Sequence, residues 1–189
     1  PKDERPEHPP GDLAIWFFIL AELLAFGVFF SAYAFTRKGN VELFNHYQPH
    51  LDATAGLINT LVLLTSSYFV VRAVAAIREG AAQRCFQWIL GAIAMGGVFL
   101  VVKVAEYQDH LSQGISLSTN TFYMFYLSLT FFHFMHVIMG MVILAAVAWK
   151  ARQGAYSAAE HTGVETGASY WHMVDLVWLI LFPLVYVMR

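Results

Sequence analysis

The stretch LAIWFFILAELLAFGVFFSAYAF, from Leu13 to Phe35, carries Glu22 as its only charged residue. A helix needs about 20 apolar residues to cross the hydrocarbon core of a bilayer. A strand of a membrane barrel would be about 9–11 residues long with alternating polarity, whereas this stretch is apolar on most faces. It therefore predicts a transmembrane α-helix, with Asp12 as its N-cap.

Four more apolar stretches follow, so the sequence predicts an all-α polytopic membrane protein, a single-domain bundle of five transmembrane helices. The predicted spans cover residues of about 13–35, 54–77, 86–107, 121–149 and 169–188. Pro183 is expected to bend the last span, because proline removes a backbone donor. Residues 1–12, PKDERPEHPPGD, are rich in proline and charge and are interpreted as a solvated N-terminal tail.

The composition agrees with a lipid environment. The chain is 58% hydrophobic and 13% charged, against about 25% charged residues in a typical soluble domain. Its net charge is −2 without a basic block, which argues against a nucleic-acid partner. Cys85 is the only cysteine, so neither an internal disulfide nor a multi-thiolate metal site is expected.

The distribution of Lys and Arg predicts the orientation, since cytoplasmic loops carry an excess of both. A cytoplasmic N-terminus and an outer C-terminus place the larger basic set inside. The inner set is Lys2, Arg5, Arg72, Arg78, Arg84, Lys150 and Arg152, and the outer set is Arg37, Lys38, Lys103 and Arg189.

Glu22, His133 and His136 are ionisable residues within predicted spans, where such groups are functional candidates by default. His133 and His136 are three residues apart and share one helix face. Two interpretations stay open: proton handling, or hydrogen bonds between helices with Glu22 as the partner of one histidine. A metal site is disfavoured, because only Glu22 and His172 offer the further ligands that it needs. No catalytic residue is predicted.

Other polar residues are interpreted as a structural network. Lys103 and Glu106, near the end of the third span, are expected to form a local ion pair or to extend toward the lipid interface. His172 and Asp175 are also three residues apart, and a carboxylate in that position is expected to hold the imidazole.

Small and amide side chains within the spans predict close helix packing. Asn59 and the run Thr65–Ser67 are expected to hydrogen-bond between helices, and Gly91, Gly96 and Gly97 are expected to let helices approach closely.

Four motifs in order along the chain resemble subunit III of the haem-copper oxidases. They are LINTLVLLTSS (57–67), KVAEY (103–107), HFMHVIMG (133–140, the family's HxxHVxxG) and YWHMVDLVW (170–178, its WHxxDxVW). The stretch WFFILAELLAFGVFF (16–30) resembles the span that carries the family's buried carboxylate, which falls on Glu22. The chain is most similar to the five-span bacterial type, and its opening PGDLAIWFFILAELL to the form associated with nitric oxide reductase.

This resemblance implies a non-redox accessory subunit without cofactors of its own. It would pack on a catalytic, haem-bearing membrane subunit that holds the haem and metals. It would bind phospholipid, and support assembly, stability and proton uptake in a bacterial inner membrane. Two other functions are weighed against it: a stand-alone proton or small-solute transporter that uses Glu22, His133 and His136, and a metal-dependent membrane enzyme that uses His133, His136 and His172.

Overall fold

The structure is a computed structural model that describes residues 9–189. Over this range the chain forms helices joined by turns and contains no β-strand. The helices are α1 (Leu13–Gly39), α2 (Val41–Tyr47), α3 (Ala53–Arg78), α4 (Ala82–Ser112), α5 (Thr121–Arg152) and α6 (Thr162–Phe182). A 3₁₀ turn, Gln48–His50, leads into α3, and a π-helical turn, Pro183–Val187, follows α6.

Helices α1, α3, α4, α5 and α6 are long and apolar enough to cross a membrane, which confirms the predicted fold class. Several boundaries differ from the prediction: α4 runs from Ala82 to Ser112, and α6 begins at Thr162. Apolar length marks only the part of a helix that lies in lipid, and the helix continues until a backbone signal ends it. Gly114 and Gly154, with φ of +76° and +74°, provide that signal just after α4 and α5.

Helices α3, α4, α5 and α6 pack around a common core, and α1 lies on the outside against α6 and α5. Trp171 and Trp178 of α6 are fully buried in this core. Phe26 joins α1 to it by packing on Phe132 of α5, with ring centroids 4.9 Å apart. α6 therefore packs against α1, α3 and α5, whereas α4 packs mainly against α3 and α5.

The start of α1 is held by hydrogen bonds. Asp12 Oδ1 accepts from the Ala14 N–H at 3.2 Å, which confirms Asp12 as the N-cap. The N–H groups of Gly11 and Asp12 donate to the Glu165 and Thr166 side chains of α6, at 3.1 and 3.0 Å. The last residues of the predicted solvated tail are thus attached to the bundle. Residues 1–8 of that tail lie outside the described residues.

Pro183 marks the point at which the last span changes from an α-helix to a π-helical turn. The α-helix stops at Phe182, and a π-helical turn closed by a 2.8 Å bond from the Met188 N–H to the Pro183 carbonyl follows. This turn presents the Val185 carbonyl to Gln48 Nε2, 3.0 Å away, and directs Tyr186 into the bundle. The turn after α6 therefore brings the Tyr186 hydroxyl next to polar side chains of α4 and α5.

Candidate functional site

Lys103 lies at the centre of a buried polar cluster between α4, α5 and the turn after α6. Its Nζ donates to Glu106 Oε2 at 3.3 Å, to Tyr186 Oη at 2.5 Å and to Tyr126 Oη at 3.4 Å. The hydroxyls of Tyr126 and Tyr186 both donate to the same Glu106 oxygen at 3.0 Å. One carboxylate oxygen therefore accepts hydrogen bonds from α4, α5 and the turn after α6.

Aromatic rings surround the lysine as well. Its Nζ lies 5.1–5.4 Å from the ring centroids of Tyr107, Tyr126, Trp178 and Tyr186, within the range of cation–π attraction. The predicted ion pair with Glu106 is present. The alternative that Lys103 extends to the lipid interface is wrong, because its side chain is fully buried. Hydrogen-bonding partners on other helices hold it inside, and a sequence pattern restricted to α4 does not reveal them.

Tyr126 and Tyr186 were not expected in this cluster. Within α4 a signal did exist, since Lys103, Glu106 and His110 follow the i, i+3, i+7 spacing of one helix face and all three are buried. The tyrosines lie 23 and 83 residues away in sequence from Lys103, so only the fold brings them to it.

Glu22 and His136 are brought together by α1 and α5. His136 Nε2 hydrogen-bonds to Glu22 Oε2, the pairing that the sequence suggested. His136 Nδ1 lies 2.7 Å from the Phe132 carbonyl oxygen. A carbonyl only accepts, so Nδ1 carries a hydrogen, and Nε2 shares one further proton with Glu22. This is a geometry in which a proton can pass between the two groups.

His133 takes a different partner, although it shares a helix face with His136. It is fully buried, and its Nε2 lies 2.9 Å from the Val174 carbonyl oxygen of α6. Its ring packs between Phe99 and Trp178. Among residues 9–189 no group of three His, Cys, Asp or Glu is placed to hold a metal ion.

His172 joins α6 to α3 through Ser67. Its Nδ1 lies 2.7 Å from Ser67 Oγ, while the nearest Asp175 carboxylate oxygen is 3.9 Å away. The expected hydrogen bond between His172 and Asp175 is therefore replaced by one to a serine. Asp175 is buried, and neither of its carboxylate oxygens has a hydrogen-bond partner within the described residues.

Two tryptophans of α6 form further hydrogen bonds to α3, and together with the His172–Ser67 contact they make up the α3–α6 seam. Trp171 Nε1 donates to Ser66 Oγ at 3.0 Å, and Ser66 Oγ donates to the Ala92 carbonyl of α4 at 2.8 Å. Trp178 Nε1 donates to Thr60 Oγ1 at 3.0 Å. Ser66 and Ser67 therefore connect helices as expected, whereas Thr65 Oγ1 donates to the Leu61 carbonyl of its own helix.

Asn59 and Gly97 depart from what the sequence suggested. Asn59 is fully buried, but its amide makes no hydrogen bond within the described residues. No atom of the described residues lies within 4 Å of the position of a Cβ at Gly97, so Gly97 allows no close approach. At Gly96 and Gly140 a Cβ would lie 3.0 and 2.7 Å from the Trp171 ring, and at Gly91 3.0 Å from Phe69.

A comparison with known proteins agrees with the four motifs. The model of the family described as cytochrome c oxidase subunit III matches residues 11–189. The cytochrome c oxidase subunit 3 of Thermostichus vulcanus is 36% identical over 98% of this chain and 92% of its own length. That of Synechocystis sp. is 35% identical over all of this chain and 81% of its own.

A third relative has a different organisation. The heme-copper oxidase subunit I+III of Aeropyrum pernix is 31% identical over 92% of this chain, which aligns with 22% of that longer protein. The family match spans nearly every described residue, including the Lys103 cluster, the Glu22–His136 pair and the α3–α6 seam. The chain therefore belongs to the cytochrome c oxidase subunit III family.

Proposed function

We propose that this protein is a non-redox accessory subunit of a haem-copper-type terminal reductase. It packs on the catalytic, haem-bearing membrane subunit, which holds the haem and metals, and it supports assembly, stability and proton uptake there. The observation that carries the proposal is the family match over residues 11–189. The relative named subunit I+III supports the choice of partner, because its name joins the two subunits in one protein.

The polar contacts are consistent with a supporting role. The bonds of Lys103, His133, His136 and His172 each join two or more helices. Such contacts fix the shape of a bundle, and they explain why a subunit without redox chemistry keeps ionisable residues in its spans. The transporter is not favoured, because His133 bonds to α6 and does not continue the Glu22–His136 pair.

The same proposal includes bound phospholipid and an orientation. An apolar groove of about 580 Å³ lies beside α5, lined in part by Phe29, Leu127, Phe131 and Met135. Its size and lining suit an acyl chain. The excess of Lys and Arg at the end that holds the start of α1 favours a cytoplasmic N-terminus and an outer C-terminus in a bacterial inner membrane.

The test is a mild-detergent purification through a C-terminal tag, followed by an optical spectrum and mass spectrometry. We expect a haem-bearing subunit to accompany the protein, and its spectrum and activity to show whether the complex reduces oxygen or nitric oxide. Deletion of this chain should shorten the lifetime of the catalytic complex during turnover. A colourless, solitary protein, or a catalytic complex with unchanged lifetime in the deletion strain, would contradict the proposal.

Bound lipid can be counted by native mass spectrometry. Leu127→Trp fills the groove and is expected to remove a lipid adduct. Val142→Trp places the same ring elsewhere on α5, at a position with 64% exposure that is not part of the groove lining, and should leave the adducts unchanged.

A further inference from the structure

An acidic cleft of about 370 Å³ opens between the start of α3 and the end of α4. Its polar lining consists of His50, Asp52, Glu106, Asp109 and His110, and no Lys or Arg among residues 9–189 lines it. His50, Asp52 and Asp109 are exposed, whereas Glu106 and His110 are buried. The cleft therefore leads from an exposed rim down to the side of the Lys103 cluster.

Two polar atoms of the buried lining residues lack a partner. Glu106 is 9% exposed and His110 is 6% exposed. Glu106 Oε2 accepts three hydrogen bonds, but Glu106 Oε1 and His110 Nδ1 have none within the described residues. A buried polar atom without a partner is destabilising, most of all where it is charged. Both residues line the cleft, so a ligand in the cleft is the available partner.

The charge of the cleft indicates the sign of that ligand. Lys103 offsets the charge of Glu106 from behind. Asp52 and Asp109 remain, and the bonds that they make do not neutralise them: Asp52 caps α3 through the Ala55 N–H, and Asp109 accepts from Gln113. Within the described part of the chain these two carboxylates have no Lys or Arg partner, and their two negative charges match a divalent cation.

The spacing of these groups indicates how such an ion would be held. In the part of the chain that the structure describes, no three His, Cys, Asp or Glu are placed to hold a metal directly. The ion must therefore keep water between itself and most of the protein. A shell of six waters takes roughly 180 Å³, at about 30 Å³ for each, and the cleft is larger than that. Mg²⁺ behaves in this way, because it gives up its waters reluctantly and needs only one or two carboxylates.

We propose that this cleft binds one hydrated divalent cation through the carboxylates of Asp52 and Asp109, with Glu106 and His110 accepting hydrogen bonds from its waters. The ion would link the turn before α3 to the end of α4. The site uses no residue of the Glu22–His136 pair, and the proposal does not depend on the partner subunit.

The test uses the whole chain in a zwitterionic detergent and Mn²⁺ as the probe, with free Mn²⁺ followed by electron paramagnetic resonance. We expect one saturable site, from which Mg²⁺ displaces Mn²⁺. Asp109→Asn should weaken binding about tenfold or more. The matched control is Glu160→Gln, which removes an exposed carboxylate from the opposite end of the bundle and should change nothing.

Two further measurements separate loss of the site from loss of the fold. Asp109 is exposed, so Asp109→Asn should unfold at the wild-type temperature without metal, and Mn²⁺ should raise that temperature less than in the wild type. The double variant Lys103→Met/Glu106→Gln removes a buried charge pair together and should also bind Mn²⁺ more weakly. Absence of saturable binding, or equal binding by wild type, Asp109→Asn and Glu160→Gln, would overturn the proposal.

Discussion

Glu22 and His136 lie 114 residues apart in the chain, and a hydrogen bond between their side chains joins α1 to α5. His136 Nδ1 donates to the Phe132 carbonyl, so the hydrogen bond between His136 Nε2 and Glu22 contains one further proton. The Glu22 side chain remains 20% exposed on the outside of the bundle. A proton-holding pair thus sits where an outer helix meets the core.

Replacing Glu22 tests whether the pair needs a charge or only a hydrogen bond. Glu22→Gln keeps an N–H that can donate to a neutral His136, so thermal unfolding in detergent should remain close to the wild type. Glu22→Ala removes the partner and should cost about 1–3 kcal/mol, because the buried imidazole nitrogen is left unpaired. Equal destabilisation by both variants would show that the pair is an ion pair.

The contact between His172 and Ser67 gives a second prediction. Ser67→Ala should destabilise the bundle by about 1 kcal/mol, since it removes a 2.7 Å bond between α3 and α6. Asp175→Asn should have little effect, because neither Asp175 oxygen makes a hydrogen bond within the described residues. Thermal unfolding of the two variants compares them directly, and a larger loss for Asp175→Asn would restore the carboxylate as the partner of the imidazole.

Lys103 is expected to be sensitive to single changes and tolerant of a paired one. Lys103→Met leaves Glu106 as an uncompensated buried charge and should cost about 3–5 kcal/mol. Adding Glu106→Gln should recover most of that loss, because the double variant buries no charge. Unfolding free energies from a denaturant titration would complete the double-mutant cycle. Lys150→Met, at an exposed position, is the matched control and should be neutral.

The glycines around Trp171 give a prediction with a control on the same helix. Gly96→Ala places a methyl group 3.0 Å from the buried ring and should cost about 1–3 kcal/mol through overpacking. Gly97→Ala meets nothing within 4 Å and should be neutral or stabilising by about 0.5–1 kcal/mol, because alanine favours the helix. Thermal unfolding checks both, and equal effects would show that Trp171 does not set the spacing.

Residue patterns within one helix were enough to predict the five spans, the N-cap and the polar positions. Glu22, Lys103 and His133 each stand out because an ionisable side chain in an apolar stretch is costly. Their partners were harder to predict. The pairing of His172 with Ser67 and of Lys103 with Tyr186 depends on how helices are rotated against each other, which hydrophobic length does not determine.

The ends of the helices were also harder to predict than the presence of the helices. The apolar pattern of a helix ends where the helix leaves the lipid. It therefore did not predict the polar first two turns of α6, which hydrogen-bond to Gly11 and Asp12. The acidic cleft was missed because its residues come from a 3₁₀ turn, a helix cap and a helix end, and none of these forms a motif. Glu106 was recognised as an ionisable residue of the third span and through its spacing from Lys103.

The position of α1 has a consequence for synthesis in the cell. α1 is made before the other helices of the bundle, yet the side chains that anchor it, His136, Glu165 and Thr166, are made later. Until α5 has entered the membrane, Glu22 lacks the His136 side chain with which it pairs, and α1 gains its contacts with Glu165 and Thr166 only when α6 follows. An early helix of the bundle is therefore among the last to dock, and a nascent chain that stalls before α5 leaves the Glu22 carboxyl group in lipid without its partner.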